Sequence, residues 1–216
     1  MDRSRIAIVI PAFNESSTIF DVVKAASEYG HAIVVDDGSS DDTTELAGKA
    51  GAIVVSHLNN QGYDAALNTG FAASVSHGYE WIITLDADGQ HDPTLLQKFA
   101  TELAEGADLV LGVRNAMPRV AESLFAFYAR IRYGVLDPLC GMKAYRRNVY
   151  ESLGHFDSYR SIGTELALHA ARNKFIIRQV KFKVKERYGQ PRFGRVFEAN
   201  IRILRAMVVD ILKTLR

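Results

Sequence analysis

Cysteine is nearly missing from this sequence. The single thiol, Cys140, excludes an internal disulfide and fits a reducing compartment, so a packed core must hold the fold. No run of 18 apolar residues occurs, so no segment reads as a membrane span. The apolar stretch before Pro11 is six residues long, too short for a secretory signal. Proline is scarce, at five residues, and no proline- or glycine-rich linker or low-complexity stretch interrupts the chain. Acidic residues are sparse in one place. Residues 172–216 hold three against thirteen basic ones, whereas residues 1–171 hold 22 against thirteen. That basic C-terminal fifth points to an anionic partner (a membrane surface, a phosphate-bearing substrate or nucleic acid) or to a solvated face balancing an acidic body.

What is present is an ordinary globular composition, 48% hydrophobic and 24% charged over 216 residues. Apolar runs rich in β-branched residues alternate with helical periodicity. The segments 5–11, 31–39, 52–57, 81–88 and 107–114 read as strands. Residues 16–30 read as a helix, with Ile19, Val22, Val23 and Ala26 on one face and Gly30 as its stop. A second helix opens at Ser40 or Asp41, and a third, rich in small residues, follows "QGYDAALNTG". A fourth has Asp92 as N-cap and Pro93 in its first turn. Near-continuous apolar strands separated by helices predict an α/β fold, a mostly parallel sheet covered on both faces. In such sheets ligands bind beyond the carboxyl ends of the strands. Three strands end in polar clusters, "PAFNE", "DDGSSDD" and "DADGQHD", which predicts one crevice built by three loops.

The sharpest of these is "WIITLDADGQHDP". An apolar run built for burial stops on Asp86-Ala87-Asp88, where carboxylates cost desolvation energy unless a positive group meets them. Two residues apart on an extended strand end, Asp86 and Asp88 would face the same side. A hard divalent cation takes such oxygen ligands and completes its shell with substrate phosphates; Gln90 is a further oxygen donor. An Asp-x-Asp pair also serves simply to cap a loop. Asp36-Asp37 would accept hydrogen bonds from a base or ribose, while Ser39, Ser40 and Asp41 are also ordinary helix caps.

Seven stretches, "IVIPAFNE", "IVVDDGSSDDT", "NNQGYDAALNTGF", "LDADGQHDP", "GVRNAMP", "DPLCGMKAYRR" and "TELALHAARNKFIIRQVKFKVKER", together resemble the family 2 inverting glycosyltransferases of the GT-A (Rossmann-like) fold. The resemblance covers residues 5–190 and is strongest to the branch of dolichyl- and undecaprenyl-phosphate sugar transferases. It implies a GT-A domain over residues 1–194, followed by a basic amphipathic helix over 195–216. By the same resemblance Pro11, Ala12, Asn14, Glu15, Asp37, Ser39, Gly62, Asp86, Ala87, Arg187 and Arg192 hold a UDP- or GDP-sugar. Asp86, Asp88 and Gln90 take Mg²⁺ or Mn²⁺, and Asp88, Arg114 and Glu165 serve catalysis, Arg114 by neutralising phosphate at the reaction centre.

Many members of the family use a Glu-Asp pair whose Asp is the general base for a sugar hydroxyl. Here Glu165 is followed by Leu166. A phosphate acceptor, with a second pKa near ~6, is nucleophilic without such help. Both points favour polyprenyl phosphate, with Arg130 and Arg132 as candidates to hold its phosphate; snorkelling from an amphipathic helix is their ordinary alternative. The tail places Phe197, Ile201, Leu204, Val208, Ile211 and Leu215 in one stripe among basic residues. It reads either as a peripheral contact on the cytoplasmic membrane face or as a helix packed on the body, a second subunit or a separate membrane subunit. Tyr63-Asp64 stands where the family tends to carry a basic residue, and Pro191-Arg192 where the lipid-phosphate branch tends to show Ser-Lys. A soluble or growing-glycan acceptor, and a silent nucleotide-sugar-binding module, are the rival expectations. A phosphoryl-accepting signalling domain ranks lower, and nucleic acid is not expected, because the tail lacks a reading motif.

Overall fold

The structure, a computed structural model, describes residues 2–115, 119–183 and 196–214. The first five strands run parallel: β1 (Ile6–Ala12), β2 (His31–Asp36), β3 (Ile53–Ser56), β4 (Trp81–Thr84) and β5 (Leu109–Arg114). Two more complete the sheet, β6 (Lys143–Arg146) and β7 (Ile177–Phe182), in the order β3-β2-β1-β4-β6-β5-β7. Among the described strands only β6 is antiparallel, wedged between β4 and β5. The sequence reading yields five strands. The missing two are a four-residue segment beginning on a lysine and a strand, Ile-Arg-Gln-Val-Lys-Phe, that alternates in polarity.

The helices divide between the two faces because β1 alternates its side chains. Ile6, Ile8 and Ile10 pack toward α1 (Ile19–Ser27), α2 (Thr43–Lys49) and α4 (Thr94–Ala104). Val9 joins the opposite core with α3 (Tyr63–Ser76), α5 (Val120–Tyr133), α6 (Arg147–Leu153) and α7 (Glu165–Arg172). Helix α3 lies against β1 at backbone distance. A Cβ on Gly70 would sit 2.2 Å from a Val9 methyl, so a side chain there would push the helix off the sheet. The caps fall a residue or two later than the sequence implies. Asp41 accepts from the Thr43 amide at 3.1 Å, and Asp92 from the Thr94 amide at 3.0 Å, with Pro93 preceding α4.

The last helix, α8 (Val196–Thr214), packs across α5 and α7. Its inner face is Ala199, Ile203, Ala206 and Asp210. Asp210 is fully buried, yet it accepts from the Tyr128 and Tyr133 hydroxyls at 2.9 and 2.8 Å and lies 3.5 Å from the Arg172 guanidinium. One turn on, Lys213 Nζ donates to the buried Glu165 carboxylate at 2.6 Å. The amphipathic tail therefore has one face fastened to the body. Among the described residues no helix is long and apolar enough to cross a membrane.

Candidate active site

The strand order reverses at β1: its chain successor β2 pairs on one side and β4 on the other. The carboxyl ends of these three strands lie side by side there, the place where sheets of this kind bind ligands. Its first wall is stitched by side-chain-to-backbone bonds. The Asn14 amide donates to Ser39 Oγ and the Ser40 amide to Asn14 Oδ1, both at 2.8 Å; the Glu15 amide donates to Thr43 Oγ1 at 2.8 Å. Asn14 sits at φ 52°, a left-handed conformation that asparagine tolerates. Pro11 pairs with Val35 near the end of the β1 ladder, and the Ala12 carbonyl accepts from the Asp37 amide at 2.8 Å.

Asp37 turns inward. Its carboxylate accepts from the Gln61 and Gly62 amides at 2.9 and 2.7 Å and lies 2.7 Å from His57 Nδ1, while His57 Nε2 lies 2.9 Å from Thr69 Oγ1. Gly62, at φ 98°, can place its N–H there only in a backbone form that suits glycine. Asp36 is occupied likewise, by Ser39 and by Thr44 Oγ1. The acidic pair thus fixes the loops that follow β2 and β3, with Ser39 and Asn14 bonded to each other beside them.

The second wall is the Asp-x-Asp turn. Strand β4 ends at Thr84, so Asp86 and Asp88 do not extend it; residues 87–89 turn, with Gly89 at φ 72°. Ala87 is buried. Asp86 is gripped on both oxygens. Tyr63 Oη donates to Oδ1 at 3.4 Å, and His91 Nε2 lies 3.2 Å from Oδ2. His91 is itself buried, edge-on to Phe182 at 5.5 Å. Gly141 leaves room for the carboxylate, since a Cβ there would lie 2.4 Å from Oδ2. Burial pushes the Asp86 pKa up, but the His91 hydrogen bond and charge outweigh it, and the group stays below the ordinary carboxylate range. Burial and the nearby Asp86 charge hold the Tyr63 hydroxyl protonated, as a donor. Beneath this turn the buried Lys143 donates to the Gly163 carbonyl at 2.7 Å, its pKa lowered by burial.

Asp88 accepts from the Gln90 amide at 3.1 Å. Among the described residues no three His, Cys, Asp or Glu side chains are arranged to hold a metal by themselves. Asp86 and Asp88 stand two residues apart on this turn, with Gln90 two residues further along. One or two protein oxygens suit a hard cation that brings the rest of its shell as a diphosphate.

Beyond β5 lies the third wall. Arg114 is held in a fork by Asp137, through Nε at 2.8 Å and Nη2 at 3.0 Å, and Nη2 also reaches Glu122 at 3.2 Å. Burial opposes its charge, and Asp137 more than restores it, so the guanidinium is cationic throughout. Arg119 adds a second cation to Glu122 at 2.7 Å, and the cluster is neutral in sum. Nη1 of Arg114 makes no hydrogen bond among the described residues. Arg130 and Arg132 do not converge on one anion: two residues apart in α5, they point roughly 200° away from each other. Arg130 borders a groove with Lys181, and Arg132 lies over the Tyr133 ring at 5.5 Å. Glu165 is engaged by Ser158, through its amide at 2.5 Å and its hydroxyl at 2.9 Å, and by Lys213. Leu166 is fully buried. Arg187 and Arg192 lie outside the described residues.

This architecture, a doubly covered sheet whose three adjacent strand ends carry polar loops and an acidic turn, is that of the GT-A fold. Residues 7–154 match the model of the family described as "Glycosyl transferase family 2", and the chain belongs to that family. An uncharacterized protein of Methanocaldococcus jannaschii is 32% identical over 200 residues, covering 85% of this chain and 82% of its own. Polyprenol monophosphomannose synthase of Mycolicibacterium smegmatis is 31% identical over 69% of this chain and 64% of its own length. Among solved structures, glucosyl-3-phosphoglycerate synthase of Mycobacterium tuberculosis, in complex with Mn²⁺, UDP and phosphoglyceric acid, superposes with a TM-score of 0.79 at 25% identity, covering 96% of this chain and 78% of that one. The protein is accordingly a glycosyltransferase.

Proposed function

We propose that this chain transfers a sugar, with inversion, from a nucleoside diphosphate donor to a polyprenyl phosphate. The observation that carries the acceptor is at the start of α7. Where a base for a sugar hydroxyl would follow Glu165 stands the buried Leu166, and the Glu165 carboxylate is taken up by Ser158 and Lys213. A phosphate nucleophile needs no such base, because it is already ionised near neutral pH. The similarity to polyprenol monophosphomannose synthase supports the same acceptor class.

In this reading Asn14, Glu15 and Ser39 face the nucleoside, and Asp37 with Gly62 keeps that loop in place. Asp86, fixed by Tyr63 and His91, lies beside the ribose and phosphates. Asp88 and Gln90 hold Mg²⁺ or Mn²⁺, which when bound stabilises negative charge on the departing diphosphate, an effect worth several kcal/mol. Arg114, anchored by Asp137, keeps Nη1 for a substrate phosphate. UDP is the favoured nucleotide, supported by the bound UDP of the mycobacterial structure. That structure also contains phosphoglyceric acid, a soluble phosphate, so a soluble acceptor is the second reading.

Calorimetric titration of UDP, GDP and dTDP with and without Mn²⁺, followed by turnover assays with polyprenyl phosphate in detergent and with soluble phosphates, tests both. Metal-dependent binding of one nucleotide and product on the lipid phosphate is the expected result. Product only on soluble phosphates would refute the lipid acceptor, and no nucleotide binding would refute the donor site.

A further inference from the structure

Helix α5 turns Val120, Leu124, Phe127 and Ile131 to solvent, exposed by 84, 48, 64 and 70%. Their spacing of four, three and four residues puts them on one stripe, on the side away from the buried Ala121, Glu122, Phe125, Ala126 and Ala129. A helix resting on its own body usually presents polar residues at the centre of its outer face. Helix α8 repeats the anomaly: its inner face is docked, and its outer face shows Ile201, Leu204, Val208 and Leu212. The two helices pack against each other, and each carries an apolar stripe on its outer side.

The exposed charges among the described side chains of these two helices are cationic. Among the described side chains of α5 and α8 both acids of known burial, Glu122 and Asp210, are buried, whereas Arg130, Arg132, Arg202 and Arg205 are exposed. Beside Phe127 a groove of about 470 Å³, lined by Val113, Ala126 and Leu136, opens between α5 and the sheet edge, with Arg130 and Lys181 at its rim. An apolar slot under two cations has the form of an amphiphile with an anionic head. A second copy seated face to face would set like charges against one another.

We infer that the joint outer face of α5 and α8 docks on the surface of a bilayer carrying anionic headgroups, with the apolar stripes entering the acyl boundary and the arginines meeting the phosphates. The inference rests on the lipid acceptor proposed above and gives it a place of encounter. The groove opens there, and its Val113 adjoins Arg114.

Flotation of the full chain with vesicles of phosphatidylcholine alone and of phosphatidylcholine with phosphatidylglycerol tests this. Wild type should float with the anionic vesicles, and F127D/I131D should partition at least about tenfold less. I176D, an exposed isoleucine before β7, should behave as wild type. UDP binding retained by F127D/I131D would show that the variant is folded and that its loss is confined to the surface. The inference is overturned if wild type does not float with either vesicle or if F127D/I131D floats equally well. It is also overturned if light scattering shows a dimer that this variant splits, which would give the face to a second copy. Failure of the acceptor reading would look different: no product on polyprenyl phosphate in detergent, with vesicle binding intact.

Discussion

Replacing Asp64 by asparagine should stabilise the protein near neutral pH and leave it little changed in acid. Asp64 accepts from the Gly163 amide at 2.7 Å and so ties the turn before α7 to the start of α3. Burial pushes its pKa up from 3.8 to about 6, with the Asp157 charge adding to the shift. The folded chain therefore holds this proton more tightly than the unfolded chain does. The contribution is fully favourable below about pH 4 and is lost as pH rises through about 6, leaving an ionised carboxylate in a site that disfavours it. The full span is roughly 3 kcal/mol, of which about 2 falls between pH 4.5 and 7.5. The asparagine side chain would keep a carbonyl oxygen for Gly163 and remove the charge. The gap in stability between D64N and wild type should widen in the variant's favour by about 2 kcal/mol across that range, or about 4–8 °C in Tm for a chain of this size. Thermal and urea melts of both proteins at pH 4.5, 6 and 7.5 measure it, and other titrations cancel in the difference. A gap that stays constant with pH would refute the reasoning, even if the variant were more stable throughout.

Three further outcomes are expected. Asp88→Asn should lower turnover by at least about a hundredfold while the melting temperature holds; undiminished activity would remove the metal role. His91→Phe should raise the KM for the donor through a loosened Asp86, whereas His91→Gln, which can still donate to Asp86, should recover most of it; equal defects in the two would make His91 a packing residue only. Asp210→Ala should cost about 2–4 kcal/mol in urea titrations, because it strands two tyrosine hydroxyls and Arg172 beneath α8, and Tyr133→Phe should cost less; no loss would mean that α8 is not held at this point.

The parts of this molecule written locally were legible in its sequence, and the parts made by long-range contact were not. Asp86 and Asp88 announce themselves because carboxylates at the end of an apolar strand are costly, and Asn14, Ser39 and Gly62 lie in loops that the strand pattern places together. His91 and Tyr63 gave no such signal: one resembles a loop histidine and the other a helix-opening aromatic until the fold sets both against Asp86. Tyr63-Asp64, where the family resemblance implied a basic residue, turns out to have two partners of its own, Asp86 and Gly163. Lys143 reads as a surface residue because lysine is seldom buried, and Asp137 meets Arg114 only because an antiparallel strand follows it. For Arg130 and Arg132 the fold adds what their adjacency does not state, their places around α5. Proximity in sequence suggested a shared target, and helical geometry separates them. The tail's stripe was visible, but its period did not reveal that Asp210, on the opposite side, would be the fastening point.

The antiparallel β6 has a mechanical consequence. It is hydrogen-bonded, antiparallel, to β4 along one edge and to β5 along the other, so the two halves of the sheet are riveted to one short plank. Neither half can slide or hinge without breaking a ladder whose four residues are mostly buried. Any opening and closing that accompanies turnover must therefore be carried by the loops above the sheet, while the sheet itself acts as a rigid anvil.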